Sequence, residues 1–276
     1  MRGRGQASYH DKGRLTSTPS LHLLLMSDVL SWIRLTGPFL IGHRGFPMAA
    51  RENTVPSFEA ALEAGCDGIE LDVRMTQDGE LVVHHDEAAV NESGSVSIES
   101  STWPTLKASR FNGADGGYGI PHLDTVLRAL SGRGLLNIEV KPAGKRAKDV
   151  VEKVCAAVDK VRPRESVLIS SFDLDILAGV LRREKGLLLG YLFSSAEALS
   201  HLEDSEVVDT LVALHPRHDL VNEAFIKRAR ERGLDVHAWT VDDAAEARRL
   251  VALGVTSVIT NRPDICGPVL YEGLPP

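Results

Sequence analysis

In the stretch Gly68-Ile-Glu-Leu-Asp-Val-Arg-Met-Thr-Gln-Asp-Gly-Glu-Leu-Val-Val-His-His-Asp86, two short apolar runs flank Asp78-Gly79. Each run carries polar groups where a buried strand would be apolar. Asp-Gly between such runs is a strong hairpin signal. An antiparallel pair centred on that dipeptide sets Asp72 opposite His85, with Glu70 two positions along on the same face. Leu71 and His84 then point away. Two carboxylates beside an imidazole make a site for a hard metal ion with a proton-transfer group next to it; the alternative is a solvent-exposed polar face on an edge hairpin. A second strand-like run, Asn137-Ile-Glu-Val-Lys141, sends Asn137, Glu139 and Lys141 to one face. A Glu and a Lys on an inward face are costly to bury unless they bind or pair. Glu70, Asp72 and Glu139 together suit one divalent cation, Mg2+ or Ca2+, with Mn2+ a further option. His43 and His85 supply groups that titrate near neutrality, one able to take a proton and one to give it. Arg44 adds a fixed cation suited to a phosphate oxygen. This combination points to phosphodiester cleavage driven by positioning and charge stabilisation.

Strand and helix patterns alternate along the rest of the chain. Helical stretches ending at Gly65, Gly134, Gly186, Gly233 and Gly254 are each followed within a few residues by an apolar strand. The first strand, Phe39-Leu-Ile-Gly, ends in His43-Arg44-Gly45; Thr54 is placed to cap the helix after it. Such alternation implies βαβ units and a parallel sheet. The candidate strands exceed an eight-stranded barrel by one, and the surplus falls at the Asp78-Gly79 hairpin, too short for a crossover helix. The expected fold is α/β, a distorted (β/α)8 TIM barrel over residues 37–270, with an inserted loop segment after the His85 strand. Chemistry in such barrels sits at strand C-terminal ends, where His43, Arg44, Glu70, Asp72, Glu139, Lys141, Ser171, His215 and Trp239 fall. Trp239 reads equally as core or as an apolar wall for a small polyol. His215 reads as a pocket-wall residue and His218 as surface. Between His85 and Pro121 the pattern lapses into Ser-, Glu- and Gly-rich sequence, with Gly113–Gly119 too flexible for regular structure; the stretch reads as a lid or specificity loop or, alternatively, as a decorative insertion.

The chain is 276 residues long, 43% hydrophobic, with a net charge of −7. That balance argues against nucleic acid as a partner, and no stretch has the length of a membrane span. The three cysteines, Cys66, Cys155 and Cys266, form no metal-type or disulfide spacing, which favours a reducing compartment and a cytoplasmic location. Residues 1–36 read as a flexible N-terminal extension, or as an upstream frame with Met26 as the true start. The Leu21–Met26 run carries no cleavage-like Ala-x-Ala. Oligomeric state is left open.

Gly42-His-Arg-Gly45, Glu52-Asn-Thr54, Glu70-Leu-Asp72, His85-Asp86, Asn137-Ile-Glu-Val-Lys141, Ser170-Ser-Phe172, Trp239-Thr-Val241 and Ile259-Thr-Asn-Arg-Pro263 resemble, in order and spacing, the glycerophosphodiester phosphodiesterase family. The resemblance covers about residues 39–264. It implies a metal-dependent hydrolase that acts on a small phosphodiester and releases an alcohol and sn-glycerol 3-phosphate. On matching positions, His43 and His85 would be the acid–base pair and Glu70, Asp72 and Glu139 the metal ligands. Arg44 and Lys141 would surround the phosphate, with Glu52, Phe172 and Trp239 as support or substrate wall. Asn91 stands where the family usually has an arginine, which removes a potential phosphate or glycerol contact. Lysophospholipase D-type cleavage by the same site is the alternative; it calls for an apolar rim, and the 87–119 segment offers only Trp103, Phe111 and Tyr118.

Overall fold

The structure, a computed structural model, describes residues 38–113, 116–161 and 163–272. The expected N-terminal extension lies outside the described residues. Eight short strands pair in parallel and close on themselves. They are β1 (Phe39–His43), β2 (Gly68–Met75), β6 (Leu135–Val140), β7 (Val167–Ser171), β8 (Leu188–Phe193), β9 (Ala213–Pro216), β10 (Asp235–Ala238) and β11 (Ser257–Thr260). Closure comes from β1, which pairs with both β11 and β2. A ninth strand, β3 (Leu81–Val83), runs antiparallel beside β2, the irregularity expected at the hairpin. The helices α1 (Val55–Glu63), α3 (Leu123–Leu130), α4 (Ala147–Val158), α5 (Leu174–Arg183), α6 (Ala196–Glu203), α7 (Glu223–Glu231), α8 (Ala244–Leu253) and α9 (Pro263–Leu270) surround the barrel. In α3, Leu123, Val126, Leu127 and Leu130 are buried at helical spacing, so one face docks on the sheet.

Local chemistry sets several boundaries. Asn222 and Asp243 accept from the third helical N–H of α7 and α8, and Gly254 ends α8 in the left-handed region (φ 92°). Thr54 does occupy the N-cap of α1, but its hydroxyl donates to the Arg51 carbonyl rather than accepting from the helix. The loop it tightens carries Arg51–Asn53.

Two expectations need correction. Val73 pairs with Val83 and Met75 with Leu81, so Asp72 lies opposite His84, one residue off the register centred on Asp78-Gly79. The cause is turn chemistry. Thr76 N–H donates to the Glu80 carbonyl, Gly79 N–H donates back to Thr76, and Gly79 takes φ 84°. This is a three-residue loop whose extra left-handed residue shifts the register by one. The part of the 87–119 segment up to Ala108 is also not an irregular loop. It folds into the β4 (Ala88–Asn91) and β5 (Gly94–Ser97) hairpin and α2 (Trp103–Ala108). These cover a small core of Val82, Ala89, Ile98, Leu106, Phe111 and Ile120. Sparse apolar residues suffice because they gather on the otherwise uncovered Val82 side of β3.

Candidate active site

The motif Gly42-His-Arg-Gly45 is shaped by contact. A Cβ on Gly42 would sit 2.7 Å from the Gly45 carbonyl oxygen and 2.8 Å from Ala61 Cβ. Gly45, at φ 90°, packs so closely on Ser57 that any Cβ would overlap its backbone. Between them Arg44 itself adopts φ 54°, and Asn53 φ 56°. A left-handed arginine costs on the order of 1–3 kcal/mol, and here it does two things. Its N–H donates to Glu70 Oε2 (3.1 Å), and its guanidinium reaches Asp72 Oδ2 (3.2 Å) and Glu52 Oε2 (3.2 Å). Asn53 locks the same carboxylate, donating from Nδ2 to Asp72 Oδ2 at 2.7 Å.

Strand register assembles the rest. His43 lies beside Glu70, Glu70 beside Asn137, Asp72 beside Glu139, and Glu139 beside Ser170. One ligand atom from each of Glu70, Asp72 and Glu139 falls within 4.8 Å of the others, and all three residues are buried. Lys141 Nζ bridges Asp72 Oδ1 (2.7 Å) and Glu139 Oε1. Burial, then repulsion from Asp72 and Glu139, pushes the Glu70 carboxyl well above its usual range. Glu139 is pushed up to about 7 by burial and then by Asp72. Burial would raise Asp72 too, but Lys141 and Arg44 together hold its carboxyl well below the ordinary range. His43 is lowered to about 4, by burial and then by Arg44. Among the described residues, buried Glu70 Oε1 has no hydrogen-bond partner. A crowded carboxylate cluster with an unused buried oxygen is short of positive charge, and a hard divalent cation fits that donor set.

A cleft of about 240 Å³ opens over this cluster, lined by His43, Arg44, Glu70, His85, Asn137, Glu139, Lys141, Phe172 and Trp239, with Leu192, Thr240 and Ile259. His85 reaches it by a different route from the expected one. The β3 ladder ends at Val83, the chain leaves the sheet, and Arg74 Nε donates to the His85 carbonyl (2.8 Å). His85 Nδ1 donates to Asp86 Oδ1 at 2.7 Å. His84, by contrast, is buried beneath the inserted segment, stacked on Tyr118. Phe172 and Trp239 meet edge to face, ring centroids 5.5 Å apart, as an apolar wall. Trp239 Nε1 is anchored on the His215 carbonyl (2.7 Å).

Other expected site residues fall elsewhere. Glu52 is not among the cleft-lining residues; its carboxylate pairs with Arg44. His215 is fully buried inside β9 and packs on His237 (4.6 Å between rings) under the cleft. His218 pairs with Glu246. Asn91 accepts from Ser93 N–H in the β4–β5 turn and is not among the cleft-lining residues. The sequence reading assigned no role to Asn53 or Asn261. Asn261 Oδ1 lies 2.8 Å from His43 Nδ1, and only their place in the quoted motifs could have flagged them.

Residues 43–265 match the model of the glycerophosphoryl diester phosphodiesterase family. A glycerophosphodiester phosphodiesterase of Caldanaerobacter subterraneus is 30% identical over 231 residues, spanning 82% of this chain and 94% of the relative. The solved glycerophosphodiester phosphodiesterase of Thermotoga maritima superposes with a TM-score of 0.67 at 29% identity, covering 87% of this chain and 99% of that one. A phosphodiesterase of Oleispira antarctica, solved with its product sn-glycerol-3-phosphate, has the same fold: TM-score 0.74, 24% identity, 84% and 96% coverage.

Proposed function

The chain belongs to the glycerophosphoryl diester phosphodiesterase family, and on that premise we propose that it hydrolyses glycerophosphodiesters to an alcohol and sn-glycerol 3-phosphate with the help of one divalent cation. The observation that carries this reading is the buried carboxylate cluster, with its unpartnered Glu70 oxygen, facing two histidines across one cleft. Glu70, Asp72 and Glu139 would hold the cation, Mg2+ or Ca2+, with Mn2+ also suited to three carboxylates. When bound, such an ion polarises the phosphate and eases proton loss from the attacking group.

The protein's own residues do the remaining work. Arg44 and Lys141 line the cleft and hold phosphate oxygens, with Glu52 steadying Arg44. Phe172 and Trp239 wall the glycerol moiety and exclude water from one side. His43 and His85 exchange the protons, one from the attacking oxygen and one to the departing alcohol. The relatives' names favour glycerophosphodiesters over lysophospholipids as substrates. All three cysteines are buried thiols, in keeping with a cytoplasmic site of action. Among the described residues no helix is long and apolar enough to cross a membrane.

The test is release of glycerol 3-phosphate from glycerophosphocholine and glycerophosphoethanolamine, read with a coupled dehydrogenase. Activity should vanish in EDTA and return with Mg2+, Ca2+ or Mn2+. His43→Ala should lower it by about 10²–10⁴-fold, and Glu70→Ala should remove the metal response. Turnover that survives both EDTA and Glu70→Ala would sink the metal assignment.

A further inference from the structure

Asp242 and Asn261 lie just beyond two neighbouring strand ends. Asp242 follows Trp239-Thr-Val241 in the loop from β10 to α8, and Asn261 follows β11. Asn261 backbone N–H donates to Asp242 Oδ1 (2.7 Å), and its side-chain Nδ2 donates to Asp242 Oδ2 (2.8 Å). Thr260 Oγ1 adds a third bond to the same carboxylate at 3.2 Å. An ionised carboxylate only accepts. The Asn261 amide therefore cannot turn over without setting its own oxygen against an Asp242 oxygen.

That constraint passes to His43. With Nδ2 committed to Asp242, the amide oxygen faces the imidazole, 2.8 Å from Nδ1. An amide oxygen is also acceptor-only, so Nδ1 carries the hydrogen and, in the neutral ring, Nε2 carries the lone pair. Nε2 is the nitrogen on the Glu70 side, 3.9 Å from its Oε2. Resting on the reading of His43 as a catalytic residue, we propose that Asp242, acting through Asn261, is a positioning residue that holds His43 in its Nδ1–H tautomer and makes Nε2 the proton acceptor of the reaction. In that step the O–H bond of the attacking water breaks. Its electron pair forms the new O–P bond, and its proton passes to Nε2. The P–O bond to the alcohol breaks with its pair staying on the alcohol oxygen, which takes a proton from His85. The two histidines are thus oriented by different means. His85 is tied directly to the neighbouring Asp86; His43 reaches its carboxylate through an amide from another strand end.

Asp242→Asn tests the relay. The new side chain offers one acceptor oxygen and an NH2 donor. With the oxygen on Asn261 N–H, the NH2 faces the Asn261 amide and turns it over, so its own NH2 points at His43. Nδ1 must then accept, and the hydrogen moves to Nε2. The expected result is a fall in kcat of about 10²–10⁴-fold, the size seen when an orienting carboxylate selects the wrong tautomer or a general base is lost. KM should stay within about threefold, because ground-state binding is untouched. Stoichiometric Mg2+ binding by calorimetry should persist, and Asp242→Glu, which keeps an acceptor-only group, should recover part of kcat. Nitrogen-15 spectra of histidine-labelled protein, with the His43 signals assigned against His43→Gln, should show a protonated Nδ1 in the wild type and a protonated Nε2 in Asp242→Asn. The wild-type spectrum decides the tautomer even if the variant does not fold. A wild-type His43 with its hydrogen on Nε2, or an Asp242→Asn protein with unchanged kcat, overturns the relay alone. An active His43→Ala protein overturns the catalytic reading beneath it.

Discussion

On the β1–β2–β6 side, the barrel interior holds Arg44, Glu70, Asp72, Glu139 and Lys141 within a few ångströms of one another. On the β9–β11 side it holds His215, His237 and Ser257, neighbours in the strand ladder and equally buried, with no charged side chain among them. The first group keeps its charges because each carboxylate has a cation or a ligand position beside it. The second contains histidines whose burial favours the neutral ring: His237 is lowered to about 3 by burial, and His215 well below its usual value by burial and then by His237. A buried histidine on a barrel strand is therefore not in itself a catalytic signal. What separates His43 from His215 is an opening to the cleft and a hydrogen-bonded Nδ1.

The largest test of this contrast is Lys141→Met. Removing one partner from a buried ionic group typically destabilises by about 3–5 kcal/mol, since the remaining charges stay uncompensated. Urea unfolding should show that loss, and saturating Mg2+ should recover part of it by binding only the folded site. A variant as stable as the wild type, with no response to Mg2+, would mean the charged side does not depend on that ammonium.

On the neutral side the lever is pH. The folded pKa values of His215 and His237 lie below the unfolded value of 6.5, so the unfolded chain takes up protons first as pH falls. Their stabilisation is complete above pH 6.5 and is lost progressively as pH falls from there to the folded values, about 3 for His237. Each group adds a slope of up to about 1.4 kcal/mol per pH unit in that window. Urea midpoints measured from pH 7 to pH 5 should fall, and a His215→Leu/His237→Leu double variant should flatten the curve. Equal slopes in both proteins would remove these histidines from the acid response.

The smallest effect belongs to the contact between the two sides. Trp239→Phe keeps an aromatic wall but deletes the bond to the His215 carbonyl, a loss of about 0.5–1.5 kcal/mol. KM should rise more than kcat falls. A change in kcat alone would show that Trp239 does more than wall the cleft.

Much of this was legible in the residues. Alternating apolar runs and terminal glycines placed the strands and helices, and the alternation along Asn137–Lys141 put Glu139 and Lys141 on one inner face. The residues expected around the metal and the phosphate do converge, apart from Glu52, which pairs with Arg44 outside the cleft lining. The hairpin was harder. Asp78-Gly79 suggested a two-residue turn, and the Thr76–Glu80 bond makes it three. His85 reached the cleft because its strand stops at Val83, not because of the assumed pairing. The order of the 87–119 segment was hidden by its composition: its few apolar side chains matter only because β3 presents Val82 to them.

The sequence by itself determined which elements form and which faces they bury, because backbone propensity and hydrophobic period act over a few residues. It also determined that acidic, basic and imidazole groups would gather at one end of a barrel. Only the tertiary structure decided that Asp72 stands between Arg44 and Lys141, that Glu70 keeps an unpartnered oxygen, and that Asn261 turns its amide oxygen toward His43. Those facts depend on the relative heights of strands distant in sequence and on hydrogen bonds with one permitted direction. No local pattern encodes either.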